Sequence, residues 1–494
     1  MRSLYQIIII SILTISSAIA QNVSDVVRWS SIDYVGTART LGVGSAFGSM
    51  GGDFSVININ PAGIADYRVS EFTFTPSLRG SKTTSWFKKD SLNRELSKSN
   101  RFGIDNIGFV FASKPGSSLT SSNFAIGFSR IADFNRNATI SGTIPGSITT
   151  YFAEQANGNS VDELDDFITY PAYETGAIFD FDKDKFYETD FSSPSQKVKR
   201  SQQITQRGGI NELALGWAGE YENQFNMGFS MGVPFATFEE LKVYEEIDPT
   251  DEIGVFDNLS YTEVLNTSGV GINFKAGVTY KIENTVRIAG AFHSPTWYKF
   301  TDDYSTSMLY AFTDGNGRQR YELDSPDGSF EYRITTPWRA VGSLGTTLRL
   351  GDIRGFINGD IEYVDYSNAN YNGTAFLDTP DEQRWTNEVN RNIINKLGSA
   401  TNVRLGSEFG YKHLRLRAGY SIERSAFIAD DFYNNKVSFG FGFRTDKFFM
   451  DMGFRVAQYV EGYNPYVVLD SNQDPLANIE TSRTRGNLTL GFKF

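Results

Sequence analysis

The last residues of the chain alternate in character as the side chains of a β-strand do. One face of this segment is apolar, and the other is polar or very small. The apolar face carries Leu488, Leu490, Phe492 and Phe494, and the opposite face carries Asn487, Thr489, Gly491 and Lys493. Successive side chains of a strand point to opposite sides, so such a segment suits a wall between lipid and a wet interior. The segment therefore predicts an all-β chain that folds as a transmembrane antiparallel β-barrel.

The first twenty residues have the three parts of a secretory signal peptide. Arg2 gives a short positive region, residues 7–15 are apolar, and Ala18-Ile19-Ala20 is a small-residue cleavage site. The apolar stretch is too short to cross a bilayer comfortably as a helix. We therefore expect residues 1–20 to be removed, so that the mature chain begins at Gln21. The alternative is an uncleaved membrane anchor.

The composition agrees with a barrel and excludes several other classes of protein. No later segment has 18 consecutive apolar residues, which argues against helical membrane spans. The 40 Phe and 25 Tyr residues can supply interfacial girdles, and the mean hydropathy of -0.32 fits strands that are half wet. A net charge of -12 argues against nucleic acid as a partner. Without cysteine there is no disulfide framework, and no cofactor or metal site is predicted.

Alternation with a period of two predicts about fourteen strands joined by long and short links in turn. The strands are expected near 70–79, 103–112, 122–132, 208–220, 224–235, 268–281, 286–299, 331–350, 353–366, 401–411, 414–424, 436–445, 448–459 and 484–494. The long links are expected near 80–102, 133–207, 236–267, 300–330, 367–400, 425–435 and 460–483. Outer-membrane barrels have short periplasmic turns and long outer loops, so the alternation also sets the orientation. A soluble β-sandwich is the alternative, and it does not predict this alternation.

A glycine-rich segment lies between the expected signal peptide and the first strand. Gly36 to Asp53 is rich in glycine and is followed by Asn58-Ile59-Asn60-Pro61-Ala62-Gly63-Ile64. Glycine permits close backbone packing and positive φ angles. The segment therefore predicts a plug inside the barrel. The expected division is a signal peptide at 1–20, an N-terminal hatch at 21–68 and the barrel at 69–494.

These motifs together resemble one family of bacterial outer-membrane transporters. The Gly-x-Ala-Arg-x-x-Gly-x-Gly-x-Ala-Phe stretch, followed by Asn60-Pro61-Ala62-Gly63, is similar to the hatch of the FadL/TodX family, which carries long-chain fatty acids and aromatic hydrocarbons. Phe292-His293-Ser294-Pro295 resembles a Tyr-x-Ser-Pro element of a middle strand, and the terminal Phe494 resembles the assembly signal of outer-membrane barrels. The hatch or gate residues implied by the resemblance are Arg39, Gly42, Gly44, Phe47, Gly51, Asp53, Asn60, Pro61, Ala62 and Gly63.

The resemblance also implies a mechanism. A hydrophobic molecule is captured by the outer loops, enters an apolar pocket in the lumen and leaves sideways through an opening in the wall. The hatch blocks the direct path to the periplasm, and a kink in the third strand makes the opening.

The expected third strand contains a phase slip that could produce this kink. Ala125, Gly127 and Ser129 share the lumen face, after which Arg130 would point into lipid. A lipid-facing Arg costs about 2–4 kcal/mol at the bilayer midplane and much less at the interface. A one-residue bulge near Ser129 and Arg130 would restore the phase and break pairing there. The alternative is that the strand reaches the membrane rim, where Arg is tolerated. Gly127, Ser129 and Arg130 are the candidates for a lateral opening.

His293 lies on the lumen face of its expected strand, and Pro295 breaks the ladder that follows. One interpretation makes His293, Ser294 and Pro295 contacts for a ligand in the lumen. The other makes His293 a hydrogen-bonded polar residue of the packed interior.

The function predicted from these features is passive uptake of small hydrophobic molecules in the outer membrane of a Gram-negative bacterium. The expected partners are a hydrophobic ligand, outer-membrane lipid and the barrel assembly machinery, and the expected state is a monomer. One alternative is a barrel that handles or anchors exported proteins, and another is a haem-type receptor, which two His residues support weakly. No catalytic residues are predicted, because no G-x-S-x-G motif or Ser/His/acid arrangement is visible.

Overall fold

The computed structural model describes residues 16–116, 118–283, 285–374, 376, 378–430 and 432–494, with side chains described from residue 23 onward. Most of the expected signal peptide, residues 1–15, lies outside the described residues, and residues 16–20 begin the first helix. None of the helices within these ranges is both long enough and apolar enough to pass through a bilayer.

Nineteen strands make up most of the regular structure in the described ranges. Their bounds are β1 Glu71–Phe87, β2 Glu95–Ser113, β3 Leu119–Asp133, β4 Arg136–Pro145, β5 Lys197–Tyr221, β6 Phe225–Ile247, β7 Phe256–Ile282, β8 Val286–His293, β9 Trp297–Asp314, β10 Gly317–Asp324, β11 Gly328–Thr335, β12 Arg339–Leu350, β13 Ile353–Asp365, β14 Asn370–Asn372, β15 Ser399–Tyr411, β16 Leu414–Arg424, β17 Tyr433–Arg444, β18 Phe448–Tyr463 and β19 Ala477–Lys493.

The helices lie at the start of the chain and in the long connections. The α-helices are α1 Ser16–Ser30, α2 Ala38–Gly42, α3 Ile148–Ala156, α4 Thr169–Glu174 and α5 Pro380–Lys396. Short 3₁₀ helices lie at Phe54–Asn58, Pro61–Asp66, Lys88–Asp90, Val161–Glu163, Tyr366–Asn368 and Ser471–Gln473.

The strands form one closed antiparallel barrel with fourteen wall strands. Closure is made by β1 and β19, which pair from Glu71 opposite Lys493 to Phe87 opposite Ala477. Four wall strands are interrupted: β3 continues as β4, β8 as β9, β10 as β11 and then β12, and β13 as β14. Counted in this way, the predicted number and order of wall strands are confirmed.

The two faces of the wall differ as the alternation predicted. Outward side chains include many exposed apolar residues, among them Phe229, Phe292 and Phe439. Inward side chains are mostly polar and are buried, as at the last strand, where Asn487 and Thr489 lie inside while Phe492 is exposed. An apolar outer face around a polar interior is the arrangement of a barrel wall in lipid.

At one end of the barrel, several strands extend much farther than the sequence predicted. The link expected at 236–267 is mostly strand, because β6 continues to Ile247 and β7 already begins at Phe256. In the same way β1, β2, β4, β5 and β9 continue into the links expected near 80–102, 133–207 and 300–330. The outward positions of the β6 extension include Glu239 and Glu245 as well as the apolar Leu241 and Ile247, so the apolar alternation is interrupted although the hydrogen-bonded ladder continues. The prediction followed the unbroken apolar pattern and therefore ended these strands too early.

A small helical layer covers the inner side of this extension. Helices α3 and α4 pack on β7 and β9 through buried apolar side chains such as Phe152, Met308 and Tyr310. Arg200 of β5, which is fully buried, donates to the hydroxyl of Tyr466 at 2.7 Å and to the carbonyl of Gly146, so it joins β5 to the connections on both sides. The connection at 146–196 is therefore an ordered part of the protein.

The other end of the barrel has tight turns. Glu222 and Asn223 adopt positive φ angles between β5 and β6, and Lys412 does so between β15 and β16. Phe494 lies at this end, where its backbone N–H donates to the carbonyl of Ser70 at 3.0 Å and its side chain is exposed. The two ends of the barrel wall in sequence, β1 and β19, thus meet beside the terminal residue.

We predict that Phe494→Asp lowers the amount of assembled barrel by more than half. An aromatic side chain at the rim suits the membrane interface, whereas a carboxylate placed there disfavours insertion of the closing strand. The measurement is the fraction of outer-membrane protein that shifts in electrophoretic mobility on heating. Leu469→Asp is the matched control, because Leu469 is an exposed apolar residue outside the strands. Wild-type amounts of Phe494→Asp barrel would contradict the prediction.

Candidate functional site

Residues 31–67, here called the inner segment, are held by side chains that point inward from the wall. The clearest contact is made by Asp360 of β13, which is 1% exposed. Its carboxylate accepts hydrogen bonds from the backbone N–H groups of Phe47 at 2.9 Å and Gly48 at 3.1 Å. A buried carboxylate needs such donors, because burying an unpaired charge is very costly.

Wall strands far apart in the barrel make similar contacts with the inner segment. The side chain of Asn123 on β3 donates to the carbonyl of Ile64 at 2.8 Å. Ser421 on β16 donates to the carbonyl of Gly44 at 2.8 Å, and Asn487 on β19 donates to the carbonyl of Gly36 at 3.1 Å. Since the donors belong to β3, β16 and β19, the inner segment contacts widely separated parts of the wall.

Glycines of the wall allow the inner segment to approach closely. A Cβ atom on Gly419 of β16 would lie 2.2 Å from the backbone of Val43 and Gly44. A Cβ atom on Gly453 of β18 would lie 2.3 Å from the carbonyl oxygen of Ala38. Both distances are far below a van der Waals contact, so any larger residue at these positions would displace the segment.

Two predicted hatch residues, Asp53 and Arg39, organise the inner segment itself. Asp53 is buried, caps the 3₁₀ helix Phe54–Asn58, and accepts hydrogen bonds from the hydroxyls of Thr37 and Thr40. Arg39 in α2 donates from two nitrogens to Glu408 of β15, at 2.9 and 3.0 Å, and from a third to the carbonyl of Gly52. Bidentate pairs of this kind are strong and directional.

The Asn-Pro-Ala-Gly motif forms the return of the inner segment toward β1. Asn60 caps the 3₁₀ helix Pro61–Asp66 by accepting from the N–H of Ala62 at 3.1 Å, and it donates to the carbonyl of Gly48 at 2.7 Å. A Cβ atom on Gly63 would lie 2.8 Å from the carbonyl oxygen of Met50.

The other predicted hatch residues also lie in this packing. Phe47 is fully buried, and Gly44 has a φ of +66°. Gly42 is the last residue of α2 and packs against Gly440 of the wall. Gly51 packs against Gly63 and Asp66.

His293 faces the lumen but contacts the inner segment. Its Nε2 atom lies 2.9 Å from the carbonyl oxygen of Ile59, and its Nδ1 atom lies 3.3 Å from the hydroxyl of Tyr34. Ser294 and Pro295 lie in the interruption between β8 and β9, where the Ser294 hydroxyl accepts from the N–H of Phe274 at 2.9 Å. Both ring nitrogens of His293 are thus used within the protein, as in the second interpretation of this residue.

The third wall strand leaves its neighbour β2 at Ser129. The ladder between β2 and β3 runs from Ser113 opposite Ser122 to Asn106 opposite Ser129. On the other side, pairing with β5 shifts by one residue between Arg130 and Ala132. Gly127 lies within the paired region. In the described part of the chain no ladder joins 99–105 to 130–136, and we call this stretch the wall gap.

The side chain of Arg130 lies at the wall gap and is largely buried. It is 15% exposed, and its Nη1 atom lies 3.5 Å from a carboxylate oxygen of Asp133. Ile131, the bulged residue that follows, accepts a 2.7 Å hydrogen bond from the backbone N–H of Asp33. The inner segment is therefore attached to the wall strand at its irregular position.

A lumen cavity of about 460 Å³ lies between the inner segment, the wall gap and the long connections. The family resemblance implied an apolar pocket, but nine Arg or Lys and five Asp or Glu side chains line this one. Arg79, Arg455 and Arg485 belong to this lining and were not predicted from the sequence. The sequence contained a signal for one of them, because Arg485 lies two and four positions from the inward-facing Asn487 and Thr489 and therefore on the same face of β19.

A second cavity, of about 910 Å³, lies at the end of the barrel that has the tight turns. It shares no lining residue with the lumen cavity. Arg39, Asp66 and Glu408 lie at its inner side. Burial disfavours the charged form of Asp66, but Arg287 and Lys281 beside it keep its pKa well below the usual range. Among the described residues no group of three or more His, Asp or Glu side chains could hold a metal ion.

Solved structures of transporters share this architecture at low sequence identity. A Pseudomonas aeruginosa FadL homologue matches with a TM-score of 0.53 and 12% identity, over 93% of this chain and 98% of that chain. The P. putida toluene transporter TodX matches with a TM-score of 0.52 and 12% identity, over 94% and 99%. The Ralstonia pickettii toluene transporter TbuX gives 0.50 and 11%, over 94% and 99%. No protein-family model and no curated protein matches the chain. The chain therefore has the fold of FadL-type hydrocarbon transporters.

We predict that Asp360→Ala loosens the inner segment while the barrel remains assembled. The substitution leaves the N–H groups of Phe47 and Gly48 without their acceptor, at a cost of about 1–3 kcal/mol. Hydrogen exchange of peptides covering residues 44–50 should become about tenfold faster or more. Asp327→Ala, at an exposed position, is the control and should leave this exchange unchanged. Equal exchange in the two variants would show that Asp360 does not hold the segment.

Proposed function

We propose that this protein is an outer-membrane channel for passive uptake of small hydrophobic molecules, with the inner segment as its hatch. The observation that carries the proposal is the position of the lumen cavity. It borders the inner segment on one side and the wall gap on the other. The names of the proteins with the same fold, which include toluene transporters and a FadL homologue, support the same class of cargo.

The wall gap is the proposed exit for the cargo. An apolar molecule that passes from the lumen into lipid avoids periplasmic water, which is worth about 25 cal/mol for each Å² of apolar surface kept dry. The ladder that ends at Ser129 and the bulge at Ile131 support this route, since side chains rather than backbone hydrogen bonds separate the lumen from lipid there. Arg130 fits the rim of such an opening because Asp133 compensates its charge.

The inner segment is the proposed barrier to direct passage. Two observations support this role: its contacts reach wall strands from β3 to β19, and the cavities on its two sides have separate linings. Polar solutes would have to displace a segment whose backbone groups are hydrogen-bonded to the wall. We further propose residues 1–20 as a removable signal peptide, residues 21–68 as the hatch and Phe494 as the assembly signal for a monomeric barrel.

The charge of the lumen cavity refines the cargo. Nine cationic and five acidic side chains would bind a bare hydrocarbon poorly, whereas a hydrophobic molecule with an anionic end would be compensated. Haem reception is not proposed, because both ring nitrogens of His293 contact the inner segment and His413 is exposed at a tight turn. Two of the three fold relatives are named as toluene transporters, and no enzymatic activity is proposed.

The hatch role predicts that deleting residues 24–62 makes the barrel permeable to polar dyes. The deletion removes the groups that fill the lumen between the two cavities, so polar solutes gain a wet path. The readout is dye flux into vesicles that contain the purified barrel, and heat-modifiable mobility confirms that the barrel is assembled. An assembled deletion variant with unchanged dye flux would remove the basis for a hatch.

The exit route predicts that deleting Ile131 reduces uptake of a hydrophobic tracer. Removing the bulged residue should restore a regular ladder along the third wall strand and close the wall gap. Uptake should fall several-fold in cells, while the temperature at which the barrel loses its compact mobility stays the same. Ile131→Val is the matched control, because it keeps the chain length and the bulge. Full uptake by the deletion variant would contradict lateral exit at this strand.

A further inference from the structure

The second cavity carries a surplus of positive charge although the whole protein is acidic. Nine Arg or Lys and four Asp or Glu side chains line it, whereas the chain has a net charge of -12. Among the described residues of its lining, only Met50 and Phe356 have apolar side chains. The links are short at this end of the barrel, which is the periplasmic end in the orientation predicted from the link lengths. The second cavity is therefore a cationic opening on the periplasmic side.

Four cations at the second cavity lack an acidic partner, and we call them the rim cations. They are Arg354 of β13, Lys412 of the turn between β15 and β16, Arg415 of β16 and Lys493 of β19. Within the described part of the chain, no carboxylate lies within 4.0 Å of their charged nitrogens. Arg415 donates to the carbonyls of Lys412 and Leu414, which leaves its charge uncompensated. The rim therefore presents unpaired positive charge that is partly open to water.

The floor of the second cavity belongs partly to the inner segment. Residues 50–52 and Asp66 line the cavity from this segment. Asp66 pairs with Lys281 at 2.6 Å and with Arg287, so the charges at the floor are largely compensated. The Nε atoms of Arg287 and Arg444 are nevertheless buried and have no hydrogen-bond partner among the described residues. A ligand that reaches the floor would contact the inner segment and these unused donors.

The wall around the second cavity is closed to lipid. The ladders at this end continue to the turns, as shown by Ile353 opposite Tyr411 and Leu414 opposite Phe443. A lipid cannot enter sideways through such a wall. The scarcity of apolar lining also disfavours a hydrophobic cargo. The ligand of this cavity must therefore be soluble and must arrive from the periplasm.

The spacing of the cations indicates what kind of anion fits. The rim cations belong to three separate strands and one turn, and Arg287 and Arg444 add β8 and β17. A single small anion can contact only cations that are neighbours. A chain that carries several carboxylates can pair with cations of several strands at once. The volume of about 910 Å³ lies near the upper end of the range for ligand pockets, which leaves room for such a chain.

We propose that the second cavity binds an acidic segment of a periplasmic protein. The Asp and Glu side chains of this segment pair with the rim cations, and the segment contacts residues 50–52 of the inner segment at the floor. The positive rim also attracts an acidic partner before contact, because complementary charge speeds association. The site lies across the inner segment from the lumen cavity, so it goes beyond the proposed function and does not depend on it.

The test compares hexaglutamate with hexaglutamine, which has the same length and no charge. Binding to the purified full-length barrel in a neutral maltoside detergent is measured by calorimetry at low salt. Hexaglutamate should bind and hexaglutamine should not. Binding should be lost in about 0.5 M NaCl, because salt screens exposed charges. Equal binding of the two peptides would overturn the proposal.

The double variant Arg354→Gln, Arg415→Gln locates the binding at the rim. Removing two exposed pairing partners should weaken hexaglutamate binding about tenfold. The matched control is Arg349→Gln, Lys447→Gln, which removes two exposed cations at the same end but outside the cavity lining. The control should bind like the wild type, and an equal loss in both double variants would overturn the site. Heat-modifiable mobility confirms assembly.

A single variant keeps the test valid if the double variant assembles poorly. Lys493→Gln changes a side chain for which no hydrogen bond or ion pair is found among the described residues. It should weaken hexaglutamate binding about threefold. Unchanged binding in an assembled Lys493→Gln barrel would count against the rim as the site.

Hydrogen exchange shows where the peptide lies. Hexaglutamate should slow exchange in peptides covering residues 49–53 and 411–415 of the wild-type barrel, and should leave residues 131–136 beside the wall gap unchanged. Binding that gives no protection at 49–53 would place the peptide elsewhere and overturn the proposal.

Two further outcomes define the ligand and the independence of the site. Inorganic pyrophosphate should displace hexaglutamate only weakly, and displacement at equal concentration would show a site for a small anion and overturn the acidic segment. The double variant Arg354→Gln, Arg415→Gln should take up a hydrophobic tracer like the wild type. Loss of uptake in this assembled variant would overturn the separation from the cargo path. Absence of uptake by the wild-type protein would contradict the proposed function alone.

Discussion

The architecture depends on the need to pair polar groups that a wide barrel buries. Fourteen wall strands enclose a lumen lined with carboxylates, guanidinium groups and amides, and some of these pair between neighbouring strands, as Arg339 and Arg404 do with Glu362. The inner segment supplies further partners. Its backbone N–H groups satisfy Asp360, its carbonyls accept from Asn123 and Ser421, and its Arg39 pairs with Glu408. Burial without such partners would cost several kcal/mol for each charge.

The same requirement explains why the wall is irregular where it is. At the bulge in the third wall strand, the carbonyl of Ile131 turns from the ladder to the N–H of Asp33. The hydrogen bond lost from the wall is thus replaced by one to the inner segment. The irregular strand and the inner segment are coupled by this backbone contact, so a change in one is expected to affect the other.

Much of the fold was predictable because strands between lipid and a wet lumen alternate between apolar and polar side chains. The number of wall strands, their order and the two faces of β19 followed from alternation alone. The ends of β6 and β7 did not, since the outward Glu239 and Glu245 interrupt the apolar alternation on which the prediction relied. The basic lining of the lumen cavity was also missed, because Arg79, Lys436, Arg455 and Arg485 are dispersed over four strands and only closure brings them together. Glycine content and the Asn60-Pro61 motif led to the prediction of a hatch, and in the structure the wall glycines Gly419 and Gly453 lie against the same segment.

The ladder between β1 and β19 has a consequence for the order of folding events. It joins residues about four hundred positions apart in sequence, so the length-dependent part of its loop-closure entropy is on the order of 5 kcal/mol. The inner segment precedes β1 directly and is bonded to Asn487 and Thr489 of β19. These contacts add to the interactions that hold β1 and β19 together. We therefore expect the inner segment to favour closure of the ring, and a barrel without it to close more slowly.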